Sequence, residues 1–285
     1  MLSCPYLSAS EWMSEKISSS AAIEVLIAEI FNNFYNEDVL EPIELAKIGQ
    51  FAENVYYGKP SGLLDQACCA QGGIVGIDFK DSGNPVLTPL DVDFSSYGYT
   101  MIITNTHGSH ADLTGEYAAV PPEMREIAAF YGKKNLREVE FSDFLRDMAE
   151  IRKKVQNDRA LLRAYHFFTE NKRVDLMLQE LKDGDIDTFL YLVEESGNSS
   201  FRFLQNVYPS SSPANQGLSL AIALSEEILR GDGASRVHGG GFAGTIQAYV
   251  PDNLIDRYIS GMEGLFGKGC TTKIAIRKMP VARIL

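Results

Sequence analysis

Basic residues are in short supply in this chain of 285 residues: 26 Lys and Arg stand against 38 Asp and Glu, a formal net charge of -12. A nucleic-acid surface needs a clustered basic face to neutralise phosphates, so the balance excludes nucleic acid as a partner and suits a small substrate. A nucleotide is not excluded, because backbone N–H groups, a helix N-terminus or a metal can supply positive potential locally. Cysteine is scarce too. Cys4, Cys68, Cys69 and Cys270 contain no CxxC pair and two of them are adjacent, which suits neither a usual zinc site nor a disulfide framework and predicts free thiols in a reducing cytosol. The histidines, His107, His110, His166 and His238, have no metal-ligand spacing and read as hydrogen-bonded structural residues. No apolar run approaches transmembrane length, and the first residues lack the basic region and apolar core of a signal peptide. The expectation is a cytoplasmic protein with no membrane partner. There is also no Walker A loop and no dinucleotide fingerprint.

What is present suits a globular enzyme. The length reaches the range of about 250–300 residues at which one core stops growing and chains divide, so two lobes are expected. Apolar periodicity predicts helices over 20–34 and 41–56, the second with Leu45, Ile48, Phe51, Ala52 and Val55 as its buried stripe. Strands are predicted over 72–79 and 99–105, helices over 123–131, 141–154, 160–171, 173–182, 186–199 and 217–229, then strands over 245–250 and 271–277 around a helix at 254–266. Glu194-Glu195 reads as a solvated helix face. Strands and helices without regular βαβ alternation predict α+β layers.

Three segments carry chemistry. Ser18-Ser19-Ser20-Ala21-Ala22 opens a helix, and such a turn offers hydroxyls, backbone N–H groups and the positive dipole end to a phosphate; plain helix capping is the alternative. In the stretch from Glu53 to Gln66, Glu53 ends one helical pattern and Asp65 follows a Gly58-Lys59-Pro60-Ser61-Gly62 turn. The two carboxylates can therefore converge on one cavity, to hold Mg²⁺ and orient a hydroxyl, or be solvated acids of a capped loop. The third segment, Arg236 to Thr245, contains Gly239-Gly240-Gly241, and consecutive glycines occur where the backbone approaches another group closely or turns tightly into a strand.

Taken in order, these segments resemble the galactokinase branch of the family that also holds homoserine, mevalonate and phosphomevalonate kinases. Ser18 to Ala22 is similar to the end of the family's phosphate loop, Glu53 to Gln66 to the stretch from a metal-binding Glu to an Asp-Gln pair, and Arg236 to Thr245 to the Gly-rich third motif. The resemblance implies a two-lobed α+β small-molecule kinase fold with its active site between the lobes. It implies ATP as donor, held by Ser18, Ser19 and Ser20, with Mg²⁺ at Ser20 and Glu53. Asp65 is then the catalytic aspartate beside the anomeric hydroxyl of galactose or a related sugar, with Gly62 and Tyr117 as further sugar contacts and Gly239 to Gly241 supporting the substrate end. The family's first motif, Arg-x-Asn-x-x-Gly-Glu-His-x-Asp, is absent from the sequence. The division expected is residues 1–97 as the remainder of an incomplete N-terminal lobe, with 1–16 unrelated or replaced, and 98–285 as the C-terminal lobe. A kinase impaired by that loss, a non-catalytic sugar and nucleotide sensor on the same fold, and a kinase for another sugar or alcohol are the readings that follow.

Overall fold

The computed structural model describes residues 2–3, 19–58, 61–108, 113–277 and 282–283. Contacts divide the chain into two compact units, Met1–Asp93 with Ile276–Leu285, and Phe94–Ala275. The division falls four residues before the expected boundary at 97, and the C-terminal stretch groups with the first unit. Among the described residues no helix is long and apolar enough to cross a membrane.

In the first unit, β1 (Leu2–Ser3) pairs with β8 (Ala282–Arg283), and three helices pack on one another: α1 (Ser19–Tyr35), α2 (Pro42–Phe51) and α3 (Leu64–Gln71). Pro42 occupies the first turn of α2, where its missing N–H costs nothing, and the Glu44 carboxylate accepts from the Glu41 N–H at 2.9 Å. Small side chains let the helices approach. Ala21, Ala22, Ala46, Ala67 and Ala70 are buried around Val25, Leu26, Leu45 and Leu63. At Gly49 an added Cβ would lie 3.2 Å from Glu24 Cβ and 3.4 Å from Gln66 Cγ. The expected buried stripe of α2 is corrected accordingly: Leu45 is buried, but Ile48, Phe51 and Val55 are about half exposed. The small residues Ala46 and Gly49 face inward because close helix crossing, rather than apolar volume, sets this interface. An antiparallel hairpin of β2 (Ile74–Asp78) and β3 (Val86–Leu90) follows, with Val75 opposite Pro89. A proline inside β3 hides it from periodicity, yet in a two-stranded hairpin each strand has a free edge that needs no donor.

In the second unit, the sheet order is β5-β6-β4-β7, with all neighbours antiparallel: β5 (Ala234–Val237), β6 (Thr245–Pro251), β4 (Tyr99–Asn105) and β7 (Thr271–Ile274). Ile102, Ile246, Ala248 and Val250 pack against α8 (Gly217–Leu229) and α9 (Ile255–Phe266) through Leu218, Ala221, Ile228, Tyr258 and Met262. A helical layer holds α4 (Thr114–Phe130), α5 (Phe141–Val155), α6 (Asp158–Asp183) and α7 (Ile186–Ser199), and the first three build another core around Ile127, Phe144, Ile151, Leu161 and Phe168. Three expectations change. The helix expected from 123 begins at Thr114 and runs through Pro121 and Pro122. The helices expected over 160–171 and 173–182 are one, Asp158–Asp183, because Asn171, Lys172 and Arg173 include neither Gly nor Pro to break it. β7 ends at Ile274 rather than at residue 277.

A buried polar network joins α6, α7 and β5. His166 Nδ1 lies 2.9 Å from Ser199 Oγ, Glu170 meets Arg173 and Ser196, and Arg236 Nη1 donates to Ser196 Oγ at 2.5 Å. Burial holds the His166 imidazole well below its usual 6.5, opposed by Glu170 and reinforced by Arg236 and Arg173. The unfolded chain therefore binds a proton that the folded chain refuses, and stability is lost as pH falls from about 6.5. Thermal melts between neutral and acid pH should show this loss, and His166→Gln should flatten that part of the curve.

Candidate active site

The first unit gathers its polar groups where the three helices meet. Past Phe51, helix α2 widens into a π-helical turn, Ala52–Tyr56, a distortion that often marks functional sites. Glu53 on that turn is buried at 4% exposure, a costly place for a carboxylate without partners. Ser20 Oγ, from the first turn of α1, donates to Glu53 Oε1 at 3.2 Å, and Gln66 Nε2, from α3, donates to Glu53 Oε2 at 3.0 Å and to Glu24 Oε2 at 3.1 Å.

The neighbouring Asn54 fixes the loop that leads to Asp65. Its Oδ1 accepts from the Ser61 N–H at 2.7 Å and from Ser61 Oγ at 3.1 Å, while the Ser61 carbonyl accepts from Gln50 Nε2 at 3.1 Å. Asp65 follows in the first turn of α3, exposed to solvent. A Cβ added at Gly62 would meet nothing within 4 Å, so no packing within the protein requires glycine there.

Ser20, Ala21, Glu53, Ser61, Gly62, Leu64, Asp65 and Gln66 line one cavity of about 140 Å³. The structure thus brings together Ser20, Glu53, Gly62 and Asp65 from separate stretches of sequence. Ser19 begins α1, and Ser18 lies outside the described residues. The first turns of both α1 and α3 border the cavity, which sets two positive dipole ends beside it. Sequence reasoning missed Gln50, Asn54 and Glu24; a signal was available in the amide side chains Gln50 and Asn54, one helical turn apart beside Glu53.

The cavity's donor set suits a hard cation. Gln66 Oε1 is buried and has no hydrogen-bond partner. It stands beside the Glu53 carboxylate and the Ser20 hydroxyl, an all-oxygen set. Among the described residues no group of three or more His, Cys, Asp or Glu is placed to hold a metal. Cys68, Cys69 and Cys270 are free thiols, and Cys4 lies outside the described residues.

Tyr117 belongs to the second unit, on α4. Its hydroxyl donates to the Gly241 carbonyl at 2.6 Å and its ring meets Phe242 edge-on at 5.1 Å. Asn206 holds the same glycine loop: its carbonyl accepts from the Phe242 N–H at 2.5 Å and its Nδ2 donates to the Gly240 carbonyl at 3.1 Å. A Cβ at Gly240 would lie 2.9 Å from Tyr117 Cε1, and one at Gly241, where φ is +80°, would lie 2.0 Å from the Asn206 carbonyl oxygen. Close approach therefore explains Gly240 and Gly241. Gly239, at φ +67°, has nothing within 4 Å of its Cβ position. Gly241→Ala should cost on the order of 1–3 kcal/mol from backbone conformation alone and more from the clash, whereas Gly239→Ala should show only the first effect. Denaturant melts of the two variants check the difference.

Of the histidines, His238 Nδ1 lies 2.9 Å from Gln247 Oε1 and His107 Nδ1 lies 3.1 Å from Asn105 Nδ2. Both are engaged in the protein's own hydrogen bonding. His110 lies outside the described residues.

Residues 17–73, which span the cavity residues, match the model of the GHMP kinases N terminal domain. The galactokinase of Actinobacillus pleuropneumoniae is 32% identical over 244 residues, covering 86% of this chain and 60% of that protein. The crystal structure of Lactococcus lactis galactokinase complexed with galactose superposes with a TM-score of 0.72 at 20% identity, over 93% of this chain and 67% of that one. That of L. major mevalonate kinase with R-mevalonate gives 0.58 at 13% identity, over 93% and 67%. The α+β architecture is therefore that of these kinases, and the chain spans about three-fifths of the curated galactokinase it matches.

Proposed function

We propose that this chain, whose residues 17–73 match the GHMP kinases N terminal domain and which is 32% identical to a galactokinase over 86% of its length, is an ATP-dependent sugar kinase of the galactokinase type, which moves the γ-phosphoryl group of ATP to the 1-hydroxyl of galactose. The observation that carries the proposal is the single cavity shared by Ser20, Glu53, Gly62 and Asp65 at the starts of α1 and α3. The galactokinase relative and the galactose-bound structural neighbour support the choice of sugar.

In this reading the sugar lies against Gly62, where the missing side chain leaves room, and the Asp65 carboxylate receives the hydrogen bond of the attacking hydroxyl. The hydroxyl oxygen bonds to the γ-phosphorus as the bond to the β-phosphate oxygen breaks. The hydroxyl proton passes to Asp65, and ADP and galactose 1-phosphate leave. Asp65 acts chiefly by fixing the nucleophile in line. First-turn N–H groups of α1 and α3 meet phosphate oxygens. Ser20, Glu53 and the free Gln66 Oε1 would hold Mg²⁺, which when bound neutralises phosphate charge. Gln66 keeps the buried Glu53 carboxylate oriented.

A coupled assay of ADP release with galactose, homoserine and mevalonate tests the proposal. Release that depends on galactose is expected. Release with one of the other alcohols instead would overturn the substrate, and galactose binding by calorimetry without any release would make the protein a sensor.

A further inference from the structure

The second unit holds another cavity, about 580 Å³ in volume, between α7 and α8, with the edge strand β5 contributing Ser235. That volume lies within the range of small-molecule sites. We propose that it binds a small organic cation, an ammonium group on an apolar body, with Glu194 and Glu226 flanking the charge and Phe201, Leu220 and Ile222 taking the body.

Three observations support the assignment. Ser235 is 6% exposed, and its Oγ is buried without a hydrogen-bond partner. The register sets Ser235 opposite Ala248 and Val237 opposite Ile246, so Ser235 shares the sheet face that packs on α8. An unanswered buried hydroxyl costs free energy, and a donor such as an ammonium N–H in the cavity would satisfy it. Ser219 Oγ, also on the cavity wall, is likewise buried and unpartnered.

The second observation is charge. Glu194, read from the sequence as part of a solvated helix face, is half-buried and lines this cavity together with Glu226. Burial, and then the Glu194 carboxylate, push the Glu226 carboxyl above its usual range. A cation placed beside the two carboxylates relieves the repulsion that Glu226 feels from Glu194. Arg202, the cavity's basic residue, carries its guanidinium 5.2 Å over the Phe203 ring.

The third is the wall itself. Phe201, Leu220 and Ile222 line the cavity beside the acids, and Phe201 and Leu220 are 40% and 56% exposed. Apolar side chains beside convergent polar groups match an amphiphilic ligand better than a bare metal ion, which would take oxygen ligands alone.

The test compares 4-phenylbutylamine, protonated at neutral pH, with the uncharged 4-phenylbutanol, by ligand-observed NMR and calorimetry on the full chain. The amine is expected to bind about tenfold or more tightly than the alcohol. Glu194→Gln and Glu226→Gln should each weaken the amine several-fold and leave the alcohol unchanged, and Ser235→Ala should weaken the amine. Equal affinity of amine and alcohol would overturn the proposal, as would no amine binding up to ~10 mM or amine binding indifferent to both Glu substitutions. The comparison of two ligands on the unaltered protein stands even if a variant folds poorly. Because neither acid lies in the first unit's cavity, the outcome is independent of kinase turnover.

Discussion

Asp65→Asn should lower galactose-dependent ADP release by about 10²- to 10⁴-fold while the protein melts at an unchanged temperature. The separation of the two effects follows from where the residue sits. Asp65 is exposed in the first turn of α3, and the buried face of that helix is carried by Gln66, Ala67, Cys69 and Ala70. Asparagine keeps the size and still suits a helix start, so the fold gives up little. The reaction gives up the group that holds the attacking oxygen and takes its proton. The loss should therefore appear in kcat, with the KM for galactose changed far less, because an amide can still hydrogen-bond the sugar. A variant that retains the parent's kcat would remove Asp65 from the chemistry. One that fails to fold would place it in the structure instead, and circular dichroism separates these results. Ser20→Ala supplies a contrast. It removes a donor to the buried Glu53, so stability and turnover should fall together.

Much of this site is legible in the sequence because its residues sit at element ends, where local rules are strong. A serine run before an apolar pattern marks the start of α1, and a Gly-Lys-Pro-Ser-Gly turn marks the start of α3. Their convergence with Glu53 depends on small residues along the helix contacts, and Ala46 and Gly49 signal this only weakly. The π-helical turn at Ala52–Tyr56 is not legible, since apolar spacing cannot distinguish a widened turn from an ordinary one. Ile48, Phe51 and Val55 are expected inside because apolar spacing does not register that small residues, Ala46 and Gly49, make the helix contact. Tyr117 is legible as a residue of interest through family resemblance, but its bond to the Gly241 carbonyl spans 124 residues, a separation no local pattern encodes. β5 and β3 escape for related reasons. One is a four-residue strand before glycines and the other carries a proline, and both are fixed by pairing with a partner strand.

Glu123→Ala should be the most destabilising single change in the second unit, lowering its melting temperature by roughly 6–20 °C, from a cost of about 3–5 kcal/mol. The helix that carries Glu123 also carries Tyr117, and it runs through Pro121 and Pro122. Proline has no N–H, so the carbonyls of Tyr117 and Ala118 lose their helical donors and α4 is weakened at its middle. Side chains on either side anchor it. Glu116 accepts from Ser210 Oγ at 2.8 Å and from the Ser211 N–H at 2.9 Å. Glu123 accepts from Arg159 at 2.5 Å and from Arg163 at 2.8 Å, and Arg163 also donates to the Leu204 carbonyl at 3.1 Å. Arg163 is 1% exposed. Removing Glu123 leaves its guanidinium buried with its counter-ion gone, and the desolvation cost of that charge is no longer offset. Replacing both partners with apolar groups, as in Glu123→Leu with Arg163→Met, should recover much of the loss, because no charge then remains inside. Calorimetric unfolding of the single and double variants tests this. A Glu123→Ala protein that melts with the parent, or a double variant worse than the sum of the singles, would show that α4 is held by its apolar contacts alone and that Tyr117 reaches the glycine loop without this anchor.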